Sequence, residues 1–136
     1  MNPLNAALAA LALLTSLGAA AHEPVFGQEK LAILQEQALS TIPGKKALML
    51  TVDYAPGQAT VPHRHAGAAM AYVLQGAITS RVNDEPAMTY TAGQTWFEPA
   101  GSRHPVSSNA SQTEPAKLLV FMLMDEQDAV LTPLEK

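Results

Sequence analysis

Residues 47–54 alternate strictly, with Leu48, Leu50, Val52 and Tyr54 on one side and Met49, Thr51 and Asp53 on the other. Period two marks a half-buried β-strand, because successive side chains of extended backbone point to opposite faces. Pro56-Gly57 ends the run. Further strands are expected at residues 70–75, 77–83, 87–90, 95–98 and 117–124. Gly76, Asn83-Asp84-Glu85-Pro86, Ala92-Gly93 and Pro99-Ala100-Gly101 separate them, which is ordinary turn chemistry. Residues 31–39 fit two descriptions. Leu31, Leu34 and Ala38 have helical spacing, whereas the Ile42-Pro43-Gly44 turn that follows suits a hairpin, so a strand is preferred. Many short strands in so short a chain imply an all-β antiparallel sandwich or small barrel of one domain.

Composition narrows the function classes. The 136-residue chain carries 8 Lys and Arg against 12 Asp and Glu, a net charge of −4. It lacks the basic footprint of a protein that follows a nucleic-acid backbone. With 48% hydrophobic and 15% charged residues it is too apolar for a disordered chain. Without cysteine there is no disulfide, no thiolate zinc site and no thiol nucleophile.

Residues 1–21 hold no charged side chain, and an apolar run from Ala6 to Leu14 leads to Ala19-Ala20-Ala21. That pattern reads as a secretory signal peptide cleaved before His22, although its start lacks the usual Lys or Arg. An uncleaved membrane anchor is the competing reading, but Asn5, Thr15, Ser16 and Gly18 interrupt the apolar stretch. The mature domain is then residues 22–136, periplasmic or secreted, with no stable membrane insertion.

The histidines carry the functional argument. His63 and His65 stand two apart, so extended backbone projects both imidazoles from one face. His104 follows after another strand and a tight turn, and an antiparallel fold can return it beside the pair. Imidazole suits Zn, Cu, Fe and Ni better than Mg or Ca. The bland alternative is a set of loop or core histidines satisfied by backbone groups. His22, if it becomes the new N-terminus, offers an amine and an imidazole to copper.

Spacing around these residues matters more than their number. Gly57, five residues, then His63-Arg64-His65, closing at Gly76, resembles the first motif of the cupin superfamily. Gly93, five residues, then Pro99-Ala100-Gly101-Ser102-Arg103-His104, followed by Asn109, resembles the second. The resemblance covers about residues 42–124. It implies a β-jelly-roll barrel with a divalent transition metal (Fe, Mn, Ni, Zn or Cu) held inside. In the family, two histidines and an acid of the first motif and one histidine of the second hold the ion. His63, His65 and His104 carry over.

Two positions depart from that pattern. The family's acid falls at Met70, or at Ala69 in the nearer option, and Asn109 stands one residue late. Met70 reads first as core packing beside a three-histidine centre, and otherwise as a thioether ligand favouring copper. Glu98, just before the second-motif turn, is the candidate substitute for the acid or a proton acceptor, against a solvated turn carboxylate. It shares a strand face with Trp96. Tyr72 would share an inward face with Met70, so Met70, Tyr72 and Trp96 are expected to line the pocket. Arg64 should point to solvent.

Two function classes remain. One is a metal-dependent enzyme, dioxygenase- or isomerase-like, acting on a small organic molecule. The other is a non-catalytic module that binds or senses a metal or small ligand. A metal-free carbohydrate-modifying cupin sits badly with three histidines in motif register. A homodimer is compatible with either class.

Overall fold

The structure is a computed structural model and describes residues 24–135. Residues 1–21, read above as a signal peptide, and His22 lie outside the described residues. The strands run in order as β1 Val25–Phe26, β2 Lys30–Ala38, β3 Lys45–Tyr54, β4 Gln58–Ala59, β5 His63–Arg64, β6 Ala68–Gln75 and β7 Ala77–Arg81. They continue as β8 Met88–Thr91, β9 Thr95–Glu98, β10 Arg103–His104, β11 Val106–Asn109, β12 Ala116–Asp125 and β13 Thr132–Pro133. Among the described residues no helix is long and apolar enough to cross a membrane.

One five-stranded sheet has the order β2-β3-β12-β6-β9, and a second has the order β1-β4-β11-β7-β8. A small third sheet has the order β10-β5-β13. Every pairing is antiparallel except the short β1–β4 contact. This is the antiparallel all-β fold expected from the strand pattern, which left sandwich and barrel open, and it takes the barrel form that the family resemblance implied.

The alternation of β3 survives folding. Leu48, Leu50, Val52 and Tyr54 are buried, and β12 places Leu118, Val120, Met122 and Met124 beside them in register. On the neighbouring strand β6 the inward residues are Ala69, Ala71 and Val73. Two alanines on this face leave room in the barrel that larger side chains would fill. The segment at 31–39 is a strand, as preferred, but β2 is an edge strand with no buried residue and a bulge between Ile33 and Gln35. The strand expected at 77–83 stops at Arg81, because Asn83 adopts a left-handed φ of 52° and its side chain accepts the Arg103 N–H.

The placement of Met70 and Tyr72 differs from expectation. Both are exposed, at 55% and 43%, on the outer face of β6. The reason is parity: once Ala69 faces the barrel, residues 70 and 72 must face away. Met70 is therefore neither core packing nor a ligand, and Tyr72 does not line the barrel interior.

Candidate metal centre

The site is assembled where the third sheet meets the barrel. In the antiparallel pair of β5 and β10, His104 is the register partner of His63. The turn before His104 is held by the Gly101 N–H, which donates to the His65 carbonyl at 3.0 Å. Gly101 makes that turn at φ 76°, a conformation that favours glycine. The acid arrives from β9, whose Glu98 lies directly across from Ala69. The inward slot of β6 thus holds an alanine, and the facing residue of the next strand supplies the carboxylate. Arg64 points to solvent as expected.

His63, His65, Glu98 and His104 are all buried, and one donor atom from each lies within 4.8 Å of the others. Their outer atoms are tied down. His63 Nδ1 donates to the Val61 carbonyl at 2.8 Å and His65 Nδ1 to the Val130 carbonyl at 2.6 Å. His104 Nε2 bonds Ser80 Oγ at 2.8 Å, and Trp96 Nε1 donates to Glu98 Oε1 at 2.9 Å. A carbonyl only accepts, so Nδ1 carries the proton on His63 and His65 and both Nε2 atoms present lone pairs. Those two Nε2 atoms are 3.0 Å apart.

Further in, His65 Nε2 is 3.4 Å and His104 Nδ1 3.2 Å from Glu98 Oε2. Neither Glu98 Oε2 nor His104 Nδ1 has an aligned hydrogen-bond partner. The Nε2 lone pairs of His63 and His65, the Glu98 carboxylate and His104 Nδ1 converge on one point. Buried polar atoms left this way are costly unless a cation lies between them. Donors about 2.1 Å from one ion stand about 3–3.4 Å apart at ordinary coordination angles, which matches these spacings. The residues fit a divalent ion, and the cluster can hold one.

Protonation agrees with that fit. Burial, with the neighbouring His104 and His65, pushes His63 down from 6.5 to about 4, so its ring is neutral near pH 7. Burial pushes the Glu98 carboxyl up, but the close approach of His104, with His65 and the Trp96 hydrogen bond, outweighs it and holds the carboxyl below its usual range. Neutral imidazoles and an ionised carboxylate are the forms that ligate metal.

Sequence comparison adds the family. The Cupin domain profile matches residues 50–122, more than half of the chain. The chain belongs to the cupin family.

Solved structures share the fold of this cupin. A conserved double-stranded β-helix protein of Klebsiella pneumoniae matches with TM-score 0.62 at 18% identity, over 81% of this chain and 87% of that one. The DMSP lyase DddQ of Ruegeria pomeroyi matches with TM-score 0.55 at 17% identity over 64% of this chain, and an oxalate oxidase with TM-score 0.51 at 22% over 59%. The matches cover only 42% of the lyase chain and 46% of the oxidase chain. No curated protein matches in sequence.

The cluster of this cupin opens onto a cavity of about 40 Å³. Leu50, Val52, Leu118, Val120 and Met122 form its walls, and Trp96 lines it as expected. It also contains a hydroxyl group set that sequence reasoning missed. Tyr54 OH bonds Thr60 Oγ1 at 2.6 Å and Ser107 Oγ at 3.0 Å, all buried. Burial raises Tyr54 to about 12 despite these hydrogen bonds, so the phenol keeps its proton. Ser80 was missed as well. Its signal was parity: Ile78 and Ser80 share the inward face of β7, and a buried serine there needs a partner.

Proposed function

We propose that this cupin binds one divalent first-row transition ion through His63, His65, His104 and Glu98, and acts with it on a small molecule in the adjoining cavity. The observation that carries the reading is the 3.0 Å approach of two imidazole lone pairs whose tautomers are fixed by carbonyl acceptors. Three imidazoles and one carboxylate favour Mn, Fe, Co, Ni or Zn over Ca and Mg. When bound, such an ion supplies Lewis acidity or, for a redox-active metal, electron transfer. The chain's own residues then orient and exclude. Val61, Val130 and Ser80 hold the imidazoles in place, and Trp96 holds Glu98 with Oε2 turned inward. The apolar walls keep bulk water out.

A non-catalytic metal- or ligand-binding module is the second reading. It is favoured by the cavity lining, which contains no Lys, no Arg and no carboxylate other than Glu98 among the described residues. Export to the periplasm or beyond, with cleavage before His22, is part of the same proposal. Purification from an exporting host, followed by elemental analysis and intact mass, tests both points. One equivalent of a transition metal on a chain starting at His22 supports them. A metal-free chain that takes up no added Mn(II), Co(II) or Zn(II) overturns the metal reading, and a mature mass including Met1 overturns cleavage.

A further inference from the structure

The cavity restricts what can reach the cluster, and its limits can be read from size, charge and hydrogen-bonding capacity. One water needs roughly 10–15 Å³ of such space, so about 40 Å³ holds on the order of three water-sized groups. Sites for larger organic ligands run to several hundred Å³. Leu31, Val130 and Leu131 are the lining residues that reach solvent, and every other lining residue is buried. The entrance is therefore apolar, and close packing of Val52, Val120 and Met122 prevents the walls from yielding cheaply.

Charge sets the second limit. Among the described residues, Glu98 is the only lining residue that carries a formal charge with the histidines neutral. A divalent ion beside one carboxylate leaves a net charge of +1, which a monoanion neutralises. A dianion would leave an uncompensated buried negative charge with no Lys or Arg to meet it. Hydrogen bonding sets the third. Tyr54, Thr60 and Ser107 own three hydroxyl hydrogens and make two mutual links, so one O–H remains to donate.

We propose that the cavity admits an oxygen-bearing molecule of about three or four non-hydrogen atoms, neutral or singly charged, and excludes dicarboxylates and aromatic acids. This rests on the metal reading above. The spare hydroxyl of the Tyr54 group donates to the ligand's oxygen, and the walls fix the size limit.

The test uses the full chain loaded with Co(II), whose visible spectrum reports a change around the ion. Formamide, formate, acetate, propionate, benzoate and malonate are titrated in turn, with cobalt retention checked by elemental analysis. Formamide, formate and acetate should shift the spectrum, while propionate should bind at least tenfold more weakly than formate. Benzoate and malonate should leave the spectrum unchanged. Tyr54→Phe should weaken formate binding several-fold. Val120→Ala and, independently, Val52→Ala should move the cut-off to propionate by enlarging the cavity. Benzoate or malonate binding as tightly as formate, with cobalt retained, overturns this inference and leaves the metal reading intact. A cut-off unmoved in a folded Val120→Ala or Val52→Ala chain also overturns it. A chain that takes up no Co(II) overturns the metal reading and this inference together.

Discussion

Asn109 and the group His63, His65, Glu98 and His104 are buried in the same barrel, yet their hydrogen bonding has opposite character. Asn109 Nδ2 donates to the carbonyls of Ala55 and Glu114, at 3.1 and 2.7 Å, and its Oδ1 accepts the Ser111 N–H at 2.9 Å. It ties the turn after β3 to the loop between β11 and β12 and leaves nothing unmet. In the histidine group the outer atoms are equally well bonded, while inside it the Nε2 atoms of His63 and His65 face each other as acceptors and Glu98 Oε2 and His104 Nδ1 have no aligned partner. A fully satisfied buried polar residue holds a fold together. A group satisfied on one side only is pre-organised for something that arrives later.

The sharpest way to break this contrast is to remove an inner acceptor. His63→Ala, His65→Ala and His104→Ala should each lower first-row metal affinity at least 100-fold by isothermal titration, since too few donors remain. The melting temperature of the metal-free protein should hold or rise for His63→Ala, because one of two opposed lone pairs is gone. A folded His63→Ala chain with wild-type affinity would remove that residue from the site.

Asn109→Ala should behave in the reverse manner. Losing one hydrogen-bonding side chain and stranding two carbonyls and an N–H should cost about 2–4 kcal/mol in denaturant melts. Metal affinity of the folded fraction should stay within about threefold.

Acid sharpens the comparison through His63. Its folded value, about 4, lies below its ordinary value of 6.5, so the unfolded chain binds more protons between the two. Metal-free stability should therefore be present above pH 6.5 and fall as pH drops towards 4. For this one group the slope is at most about 1.4 kcal/mol per pH unit. Denaturant midpoints across that range check it, and His63→Ala should flatten the profile.

Ser80→Ala tests whether outer bonds matter to the inner ones. Freed from Ser80 Oγ, the His104 ring should lose its orientation, and metal affinity should fall about 10–100-fold with little change in fold. Ser80→Thr should recover part of the loss. The smallest effect is expected from Met70→Glu. On the exposed outer face of β6 it should change stability by less than about 0.5 kcal/mol and metal affinity by less than about twofold.

The local part of this protein was legible in its sequence. Alternation over residues 47–54 fixed which side chains enter the core, because strand parity is a property of consecutive residues. The same rule put His63 and His65 on one face and placed Trp96 with Glu98, which the structure confirms by burying all four. Turn residues around Pro99 and Gly101 showed where the chain would reverse before His104.

Tertiary structure decided the identity of the acid. Whether residue 69 or 70 faces inward depends on where β6 begins and how it pairs with β9 and β12, and no local pattern encodes that register. Pairing set Ala69 opposite Glu98, so a carboxylate 33 positions away from His65 in the chain entered the cluster while Met70 turned outward. The carbonyls of Val61 and Val130 chose the protonated ring nitrogens of His63 and His65. A backbone carbonyl has no residue-type signature, and Val130 comes beside His65 just ahead of β13, which pairs with β5. For that reason the sequence alone pointed to the histidines and offered Glu98 as a candidate acid, and only the fold showed the four donor atoms gathered at one point.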